Sequence, residues 1–466
     1  MLLDDTIAAI STPFGEGGLG VVRVSGDRAE SLAEKIFRSP KGRTLAASRS
    51  HTIVYGHIVD PQTGERIDEV LIGVMRAPRT YTREDVIEIS CHGGPVPLKS
   101  VLSLLLREGA RLAEPGEFTK RAFLNGRIDL SQAEAVIDVI RAKTGRAERL
   151  AIQQLEGRLS ERILRLREEL LDLCALVEAY IDFPEDEIEP VEKAQMAAVV
   201  RDLERQLSSL SRGFEAGRLF REGVAAAIVG KPNVGKSSLL NALLDADRAI
   251  VTEIPGTTRD VIEECLNIQG VPLRIMDTAG IRETHDLAEL EGVRRSLGAL
   301  EHADVVIAVF DGSRRADKAD EELVERVRAK KTLYVVNKCD IRNPSFSLPH
   351  GCNSCRTVSI SALTGEGIED LKDEVYSLLM PVGRNGREEG SSQTEGVLIT
   401  NMRHKQAIDH ALEAVSEVTR RLDQGDPLEV TALYLRESLN YLGEIVGAAT
   451  TEDILDRIFS QFCIGK

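Results

Sequence analysis

The chain has 466 residues, enough for about three domains, and its formal net charge of −16 gives a pI near 5.2. This acidic balance argues against a large autonomous nucleic-acid surface, because phosphate contacts need clustered Lys and Arg, but it leaves room for a basic partner that holds nucleic acid. The sequence has no signal peptide, no long uncharged apolar stretch and no framework spacing among its seven cysteines, so we expect a soluble, cytoplasmic protein with reduced thiols and no membrane anchor.

Residues 1–120 are predicted to form an α/β domain. Apolar runs typical of strands occur at 21–24, 52–57, 70–75 and 86–90, and residues 96–108 have helical periodicity. Arg23 and Glu88 alternate with apolar neighbours on two of these strands. Such charges either face water or form a pair that binds a polar heterocycle, and the sequence leaves both interpretations open. Cys91 and His92 precede two glycines, which favours a turn at the end of a strand over a metal site.

Two later stretches, 130–220 and 404–458, are predicted to be helical and lack strand signals. Between them lies a block with strands and nucleotide-binding motifs. The simplest architecture inserts this block, at residues 218–381, into a helical domain that is discontinuous in sequence, with parts at 121–217 and 382–466. Residues 381–395 are rich in glycine, serine and charge, which predicts a mobile linker.

The inserted block contains a complete phosphate-binding loop. Residues 230–237 read Gly-Lys-Pro-Asn-Val-Gly-Lys-Ser and follow the apolar run 224–229. Backbone N–H groups of such a loop point at phosphate oxygens, Lys236 reaches the β- and γ-phosphates, and Ser237 ligates Mg²⁺. A turn that only reverses the chain is the alternative, and the Lys-Ser ending argues against it.

Two downstream segments indicate that the nucleotide is GTP. Residues 337–340 read Asn-Lys-Cys-Asp after an apolar strand, and the Asp340 carboxylate can accept two hydrogen bonds from the guanine edge. Adenine lacks that donor pair, and a buried unpaired carboxylate would reject it. Residues 359–363, which include Ser361 and Ala362, resemble the loop that supports the base.

The switch segments of a GTPase are also present. Asp277, in Asp-Thr-Ala-Gly at 277–280, is placed to hold the Mg²⁺ shell through water, and the Gly280 N–H to contact the γ-phosphate. Thr258 is the candidate for the second hydroxyl ligand of Mg²⁺. These segments would order around the triphosphate and relax after hydrolysis.

Two common catalytic groups are missing from these motifs. Ile281 occupies the position of the usual water-orienting glutamine, and Glu283 is the nearest carboxylate that could act through a bridging water. Glu283 could equally be an ordinary exposed acid. For the missing arginine finger, Asn233 and the segment 252–257 could form an oxygen cage for K⁺, although Asn233 is also a plain turn residue.

Two cysteine patterns carry little weight. Cys352 and Cys355 form a lone C-x-x-C in a polar loop, which favours a variable loop over zinc or redox chemistry. Cys463 begins a C-terminal box of the length used in prenylation, but its final lysine fits that modification poorly.

With these motifs in hand, the whole chain resembles the bacterial tRNA-modification GTPase family MnmE, also called TrmE. The marks outside the GTPase motifs are Asp-Thr-Ile-Ala-Ala at 5–9, His-Gly-Gly-Pro at 92–95, Pro-Gly-Glu-Phe at 115–118, Arg-Ala-Phe-Leu-Asn-Gly at 121–126 and Phe-Cys-Ile-Gly-Lys at 462–466. The resemblance implies a multidomain fold that mixes α/β and all-α parts. It comprises an N-terminal α/β folate-binding and dimerisation domain, a discontinuous helical domain and an inserted P-loop GTPase domain of Ras-like type.

The resemblance also implies an activity. Members are K⁺-activated GTPases that form homodimers and work with the flavoprotein MnmG (GidA) in a heterotetramer. Together they add an aminomethyl or carboxymethylaminomethyl group at C5 of the tRNA wobble uridine. The one-carbon unit comes from 5,10-methylene-tetrahydrofolate, the bound folate is that form or the 5-formyl form, and FAD enters only through the partner.

The implied site residues can be assigned on this sequence. GTP binding falls on Asn233, Val234, Gly235, Lys236, Ser237, Ser238, Thr252, Thr257, Thr258, Asp277, Thr278, Ala279, Gly280, Asn337, Lys338, Asp340, Ser361 and Ala362. Mg²⁺ falls on Ser237 and Thr258, and K⁺ on Asn233, Thr252, Ile254 and Thr257. Folate falls on Arg23, Glu88, Arg127 and Lys466, with Arg127 in place of a lysine. Glu283 is the catalytic carboxylate, and Cys463 is a candidate catalytic thiol.

Two other hypotheses remain open at the level of sequence. A ribosome-assembly GTPase would share the nucleotide motifs, but the acidic charge and the absence of a G-x-x-G RNA clamp argue against it. A folate-binding scaffold with a vestigial GTPase conflicts with the intact Lys236, Ser237, Thr258, Asp277 and Asp340.

Overall fold

A computed structural model describes residues 5–182, 190–247, 264–276, 300–344, 346–349, 356–380 and 397–466. The described chain divides into two compact units. The first unit contains residues 5–137 and 446–466, and the second contains the described residues from 138 to 445.

The first unit is built on a seven-stranded sheet. Its strands are β1 (Ile7–Ile10), β2 (Gly17–Ser25), β3 (Phe37–Arg38), β4 (Thr52–Val59), β5 (Arg66–Met75), β6 (Val86–Gly93) and β7 (Arg111–Leu112), in the spatial order β3-β4-β5-β6-β2-β1-β7. All neighbours are antiparallel except β1 and β7. In β2 the alternation buries Val22 and Val24, and Arg23 between them points to the other face, directly opposite Glu88 of β6.

The second unit contains a six-stranded sheet of mostly parallel strands. Its strands are β8 (Val224–Val229), β9 (Glu264–Ile268), β10 (Val271–Ile275), β11 (Val305–Asp311), β12 (Lys331–Asn337) and β13 (Thr357–Ser359), in the order β13-β12-β11-β8-β10-β9. Only the β9–β10 hairpin is antiparallel. Every residue of β8 is buried, as expected for a central strand covered on both faces. The carboxyl ends of β8, β11 and β12 therefore meet at one edge, where ligands bind in such sheets.

Helices make up most of the remaining described chain. They are α1 (Ala29–Ile36), α2 (Pro95–Arg107), α3 (Glu117–Leu124), α4 (Leu130–Arg141), α5 (Gly145–Leu155), α6 (Arg158–Asp182), α7 (Pro190–Arg212), α8 (Phe214–Glu222), α9 (Lys236–Asp247), α10 (Lys318–Val327), α11 (Ile368–Leu379), α12 (Met402–Gln424), α13 (Leu428–Val446) and α14 (Glu452–Phe459). In α6 the predicted stripe of Leu159, Ile163, Leu166 and Leu170 is buried, which confirms the helical periodicity.

The C-terminal segment packs into the first unit. Residues Pro115 and Ile464 form an isolated antiparallel bridge, and the Phe118 N–H donates to the carbonyl oxygen of Lys466 at 3.2 Å. Gly465 has φ of +93°, and a Cβ there would lie 2.3 Å from the carbonyl oxygen of Ile10. Only glycine satisfies both conditions, so the tail reaches the end of β1 because this position has no side chain.

The structure changes one sequence expectation in this unit. Cys91 and His92 do not form a turn at a strand end, because β6 continues to Gly93, which pairs with Gly17 of β2. The other strands predicted in this unit lie within β2, β4, β5 and β6, and the predicted helix at 96–108 corresponds to α2, which begins and ends one residue earlier. The domain boundaries at 120, 217 and 381 stay predictions, and the predicted linker at 381–395 lies outside the described residues.

Candidate functional sites

The phosphate-binding loop joins β8 to α9 and is shaped by two glycines. A Cβ at Gly230 would lie 2.5 Å from the carbonyl oxygen of Val309, and one at Gly235 would lie 2.2 Å from Nδ2 of Asn337. Gly235 also has φ of +96°, and Asn233 has φ of +65°. The loop therefore passes closer to β11 and β12 than any side chain would allow.

Lys236, the first residue of α9, bonds back to the start of the phosphate-binding loop. Its Nζ donates to the carbonyl oxygens of Gly230 at 2.9 Å and Lys231 at 2.8 Å. Burial lowers the pKa of this ammonium, because the charged form has lost water. A second cation, Lys231, anchors the loop to the start of α10 by ion pairs with Asp317 at 2.7 Å and Asp320 at 2.8 Å. These two carboxylates also cap α10 reciprocally.

Asn337 connects three of the predicted motifs. Its side chain is 2 % exposed, and its Nδ2 donates to the carbonyl oxygen of Val234 at 2.8 Å. Its Oδ1 accepts from the backbone N–H groups of Lys338 at 2.8 Å and Ala362 at 3.0 Å. One amide thus joins the phosphate loop, the end of β12 and the loop after β13. The structure brings these predicted segments together.

Lys338 links the phosphate loop to the end of β11 through its ammonium group. Its Nζ donates to the carbonyl oxygen of Asn233 at 3.0 Å and to Oδ2 of Asp311 at 2.7 Å. Burial alone would raise the pKa of Asp311, but Lys338 and the Ser313 donors outweigh it and hold the pKa below its ordinary value. Sequence reasoning missed Asp311. A signal existed, because an acid directly follows the apolar run of β11, whose parallel neighbour β12 ends at Asn337.

The other residues predicted to recognise the base follow β12 and β13. Asp340 lies in a short 3-10 turn at Cys339–Ile341 and is exposed. The Cys339 N–H donates to the carbonyl oxygen of Ile360 at 3.0 Å, which holds this turn beside the loop after β13. Ser361 is buried, and its Oγ accepts from the Thr364 N–H at 3.2 Å.

Several predicted residues lie outside the described part of the chain. They are Thr252, Ile254, Thr257, Thr258, Asp277, Thr278, Ala279, Gly280, Glu283, Cys352 and Cys355. Within the described ranges, the structure shows no cluster of three or more His, Cys, Asp or Glu side chains placed to hold a metal ion. Those same ranges contain no helix with the length and apolar character needed to cross a membrane.

The first unit gathers the four residues predicted to bind folate. Arg23 donates from Nε to Glu88 Oε1 at 2.9 Å, and its Nη2 lies 2.8 Å from the same oxygen. Its Nη1 donates to the carbonyl oxygen of Gly465 at 3.2 Å. Lys466 follows directly, and burial together with the Arg23 charge lowers the pKa of its ammonium. The strand pair and the C-terminus therefore meet at one charged cluster. Cys463 is exposed near its edge.

Tyr81 joins Arg127 to this cluster. The Arg23 guanidinium carbon lies 5.7 Å from the Tyr81 ring centroid and 5.6 Å from that of Phe118. The Arg127 guanidinium carbon lies 4.7 Å from the Tyr81 centroid. Neither aromatic residue was predicted from sequence, since single aromatic residues between strands are common in cores.

A partly buried ionic network lies at the start of α3 in the same unit. Arg121, 2 % exposed, contacts Asp5 at 2.5 Å, Glu84 at 3.1 Å and Glu117 at 3.0 Å. Arg111 contacts Asp5 and Glu117 from the other side, each at 2.5 Å. Burial alone would raise the pKa of Glu117, yet the two guanidiniums hold it below its ordinary value. This network ties Asp5, β7 and α3 together.

These observations define a class of protein. A phosphate loop at the carboxyl edge of a parallel sheet, joined through Asn337 to the Asn-Lys-Cys-Asp segment, is the arrangement of a P-loop GTP-binding protein.

Comparison with known proteins assigns the family. Family models described as the MnmE helical domain and the GTP-binding protein TrmE N-terminus match residues 130–463 and 6–127. The tRNA modification GTPase MnmE of Bacillus subtilis is 48 % identical over 465 residues, covering 99 % of this chain and 100 % of that protein. Those of Geobacter sulfurreducens and Alkaliphilus oremlandii are 48 % and 46 % identical, each covering 100 % of both chains.

Solved structures of GTP-binding domains show weaker likeness. The G domain of the T. maritima FeoB iron transporter is 24 % identical, with a TM-score of 0.25, covering 33 % of this chain and 98 % of that chain. Aquifex aeolicus Era bound to GDP and aluminium fluoride is 27 % identical, with a TM-score of 0.26, covering 41 % of this chain and 66 % of that chain. TM-scores this low support no conclusion, and the family assignment rests on the full-length relatives.

The chain belongs to the MnmE family of tRNA modification GTPases and is a GTP hydrolase. The family, the fold class and the enzyme class predicted from sequence are thereby confirmed. The assignment to tRNA modification favours that function over the ribosome-assembly alternative.

Proposed function

We propose that this GTPase is activated by K⁺ and works with a flavoprotein partner, MnmG (GidA), on the wobble uridine of certain tRNAs. The complex adds an aminomethyl or carboxymethylaminomethyl group at C5 of the base, using a one-carbon unit from folate. The observation that carries the GTPase part is the Asn337 side chain, which bonds the phosphate loop and both base-recognition segments. The protein acts as a homodimer within a heterotetramer in the cytoplasm, and FAD enters only through the partner.

The described loop fits a nucleoside triphosphate. Lys236 is held by two loop carbonyls, and phosphate oxygens would replace them as partners for an ammonium whose lowered pKa reflects lost hydration. The N–H groups of residues 234–238 would bind the phosphates at the start of α9. Asp340 would accept from guanine, and Ser361 and Ala362 would support the base. Mg²⁺, held by Ser237 and Thr258 and through water by Asp277, would neutralise phosphate charge.

The K⁺ site is proposed around Asn233. The left-handed backbone of this residue sends its carbonyl oxygen to Lys338, and its side chain is exposed. Within the described residues that amide has no hydrogen-bond partner, so its oxygen is open to a cation. Thr252, Ile254 and Thr257 would supply further oxygens, and bound K⁺ would add positive charge near the transferred phosphoryl group. Glu283 would orient the attacking water through a bridging water.

The charged cluster of the first unit fits a folate. Among the described residues, the bonds to Glu88 all use Oε1, which leaves Oε2 to accept from the amino edge of a pterin ring. Arg23, Arg127 and Lys466 supply cations for its carbonyl and carboxylate groups. We propose 5,10-methylene- or 5-formyl-tetrahydrofolate as the ligand. Cys463, exposed beside this cluster, is the candidate thiol for the modification step.

GTP hydrolysis in KCl and in NaCl at matched ionic strength tests this proposal. The rate is measured over a series of protein concentrations. We expect strong stimulation by K⁺ that rises with concentration, because the cation site and pairing of two GTPase domains would complete the catalytic site together. Equal, slow rates in both salts would contradict it and would require another source of transition-state charge.

A second measurement separates the GTPase from the modification step. The full-length protein, its flavoprotein partner, a methylene-folate and tRNA are incubated with GTP, and the wobble uridine is analysed by mass spectrometry. The expected product carries the added group only when folate and hydrolysable GTP are both present. Modification that proceeds equally without folate would contradict the proposed one-carbon source.

A further inference from the structure

Two arginines that lie far apart in sequence meet on one aromatic ring. The guanidinium carbons of Arg23, on β2, and Arg127, after α3, lie 5.7 and 4.7 Å from the Tyr81 ring centroid. Both distances are within the range of a cation–π interaction. Arg127 also donates from Nη1 to the Tyr81 backbone carbonyl at 3.3 Å. Tyr81 therefore contacts Arg127 through both its ring and its main chain.

The ring itself is held in one position. The Tyr81 hydroxyl lies 2.9 Å from Oγ1 of Thr119, and Thr119 is fully buried on α3. Burial raises the pKa of the Tyr81 phenol, so the ring is neutral at physiological pH. The face of this aromatic ring is negative and attracts the cations that lie over it.

The two arginines differ in their other partners. Of the two guanidiniums, only that of Arg23 has a carboxylate partner in the described structure, Glu88. Arg23 has five N–H groups, and its hydrogen bonds to Glu88 and Gly465 use the one on Nε and one on Nη1. The direction of the remaining N–H groups depends on the plane of the guanidinium, which the rings of Tyr81 and Phe118 contact.

We propose that Tyr81 is a positioning residue of the folate site, which sets the guanidiniums of Arg23 and Arg127 in the orientation that binds the ligand. The inference rests on the proposed folate function. It adds a residue that would not need to touch the ligand and that orients two arginines that do. The ligand class is a pterin-type heterocycle with carbonyl or carboxylate oxygens, because two planar guanidiniums present paired N–H groups to such oxygens. The ring, rather than the hydroxyl, carries this role.

Equilibrium binding of 5-formyl-tetrahydrofolate to the full-length protein tests the proposal. Tyr81→Leu and Tyr81→Met both remove the ring while keeping an apolar side chain, and we expect each to weaken binding about tenfold. Tyr81→Phe keeps the ring and loses only the bond to Thr119, so it should bind within about twofold of the wild type. Tyr434→Leu is the matched control, since Tyr434 also lies under an arginine, Arg421, but belongs to the second unit, which contains none of the residues proposed to bind folate.

A double-mutant cycle distinguishes positioning from simple loss of stability. Arg127→Lys keeps the charge but loses the planar group that stacks on the ring. If Tyr81 acts through Arg127, Tyr81→Leu should cost about threefold in the Arg127→Lys background instead of about tenfold in the wild type. A purely structural effect would cost the same factor in both backgrounds, and that result would overturn the proposal.

The outcomes separate this inference from the function on which it rests. Wild-type binding that survives unchanged in both ringless variants would overturn the role of Tyr81 and leave the folate function standing. No binding by the wild-type protein would overturn both. Weak binding by Tyr81→Phe, equal to that of Tyr81→Leu, would show that the hydroxyl matters instead of the ring and would also contradict the proposal.

Discussion

Nδ2 of Asn337 lies 2.8 Å from the carbonyl oxygen of Val234, and the intervening space is so small that residue 235 has to be a glycine. The segment predicted to recognise the base and the phosphate loop are therefore in direct contact through one buried amide. On the proposed function, binding of the base and binding of the phosphates would depend on the same side chain.

Replacing Asn337 with alanine should weaken GTP binding by about 10- to 100-fold. The change leaves the Val234 carbonyl and the N–H groups of Lys338 and Ala362 without their buried partner, and each unmet group costs about 1–3 kcal/mol. Dissociation of a fluorescent guanine nucleotide measures the effect. Asn267→Ala is the control, because in the described part of the chain its side-chain amide oxygen accepts only from the Gly270 N–H of a hairpin turn. Unchanged dissociation in the Asn337 variant would contradict the bridging role.

Two glycine-to-alanine changes should differ sharply in their effects. Gly235 and Gly365 both have positive φ, at +96° and +82°, so alanine is strained by about 1 kcal/mol at either position. Only at Gly235 would the new Cβ collide, at 2.2 Å from Asn337. Gly235→Ala should therefore lower GTP affinity at least about tenfold, and Gly365→Ala should leave it nearly unchanged. Equal affinities in a titration of the two variants would show that the close approach is unimportant.

Arg121→Met should destabilise the first unit by about 3–5 kcal/mol. The change leaves Glu84 without its cationic partner in the described structure, and it leaves Glu117, only 3 % exposed, with Arg111 alone. Urea unfolding followed by circular dichroism measures the loss. The exposed pair of Arg66 and Glu69 provides the control, and Arg66→Met should cost less than about 1 kcal/mol. A loss at Arg121 no larger than at Arg66 would mean that water solvates the network.

Stability of the first unit should depend on pH through His92. Its hydrogen bond to Asp68 at 2.6 Å raises the pKa of the imidazole above the ordinary 6.5. A raised pKa in the folded state stabilises the protein fully below 6.5, and this contribution is lost as pH rises through the folded-state pKa. The melting temperature of the wild type should therefore fall as the pH rises from 6.5 through the folded-state pKa of His92. His92→Gln and Asp68→Asn should each remove this part of the fall, and an unchanged profile in both would exclude the pair as its source.

Glu283→Ala should retain GTP binding and lose turnover by at least about 100-fold. The reason is chemical, since Ile281 cannot orient water and Glu283 is the nearest carboxylate in the sequence. Nucleotide affinity and single-turnover hydrolysis in KCl are measured on the same preparation. Glu283→Gln is the companion variant, because it keeps the shape but not the charge. Normal turnover in the alanine variant would remove Glu283 from the mechanism.

Local patterns were enough to predict much of the fold. The strand at 224–229 was predicted because a strand that is buried on both sheet faces is a continuous apolar run in the sequence. The stripe from Leu159 to Leu170 was predicted because a helix that is buried on one face has apolar residues every three or four positions. The turn expected at Cys91 and His92 was wrong, because glycines signal a chain reversal locally, whereas pairing of Gly93 with Gly17 extends β6. That pairing depends on a strand distant in sequence.

Some residues of the candidate sites could be predicted from sequence motifs, and others could not. Lys236, Asn337 and Asp340 were predicted by motif, because the chemistry of phosphate and guanine fixes residue types at fixed spacing. Asp311 and Tyr81 were missed, since neither has a motif and each acts through a partner far along the chain.

The sequence by itself determined the nucleotide and the family, because GTP recognition uses short contiguous segments whose order along the chain is informative. Only the tertiary structure decided that Asn337 bonds Val234, that Arg23 meets Glu88 and the C-terminal Gly465, and that Tyr81 contacts two arginines. Such contacts depend on strand register and on close backbone approach. Both are set by packing of the whole domain, and no local pattern of residues records them.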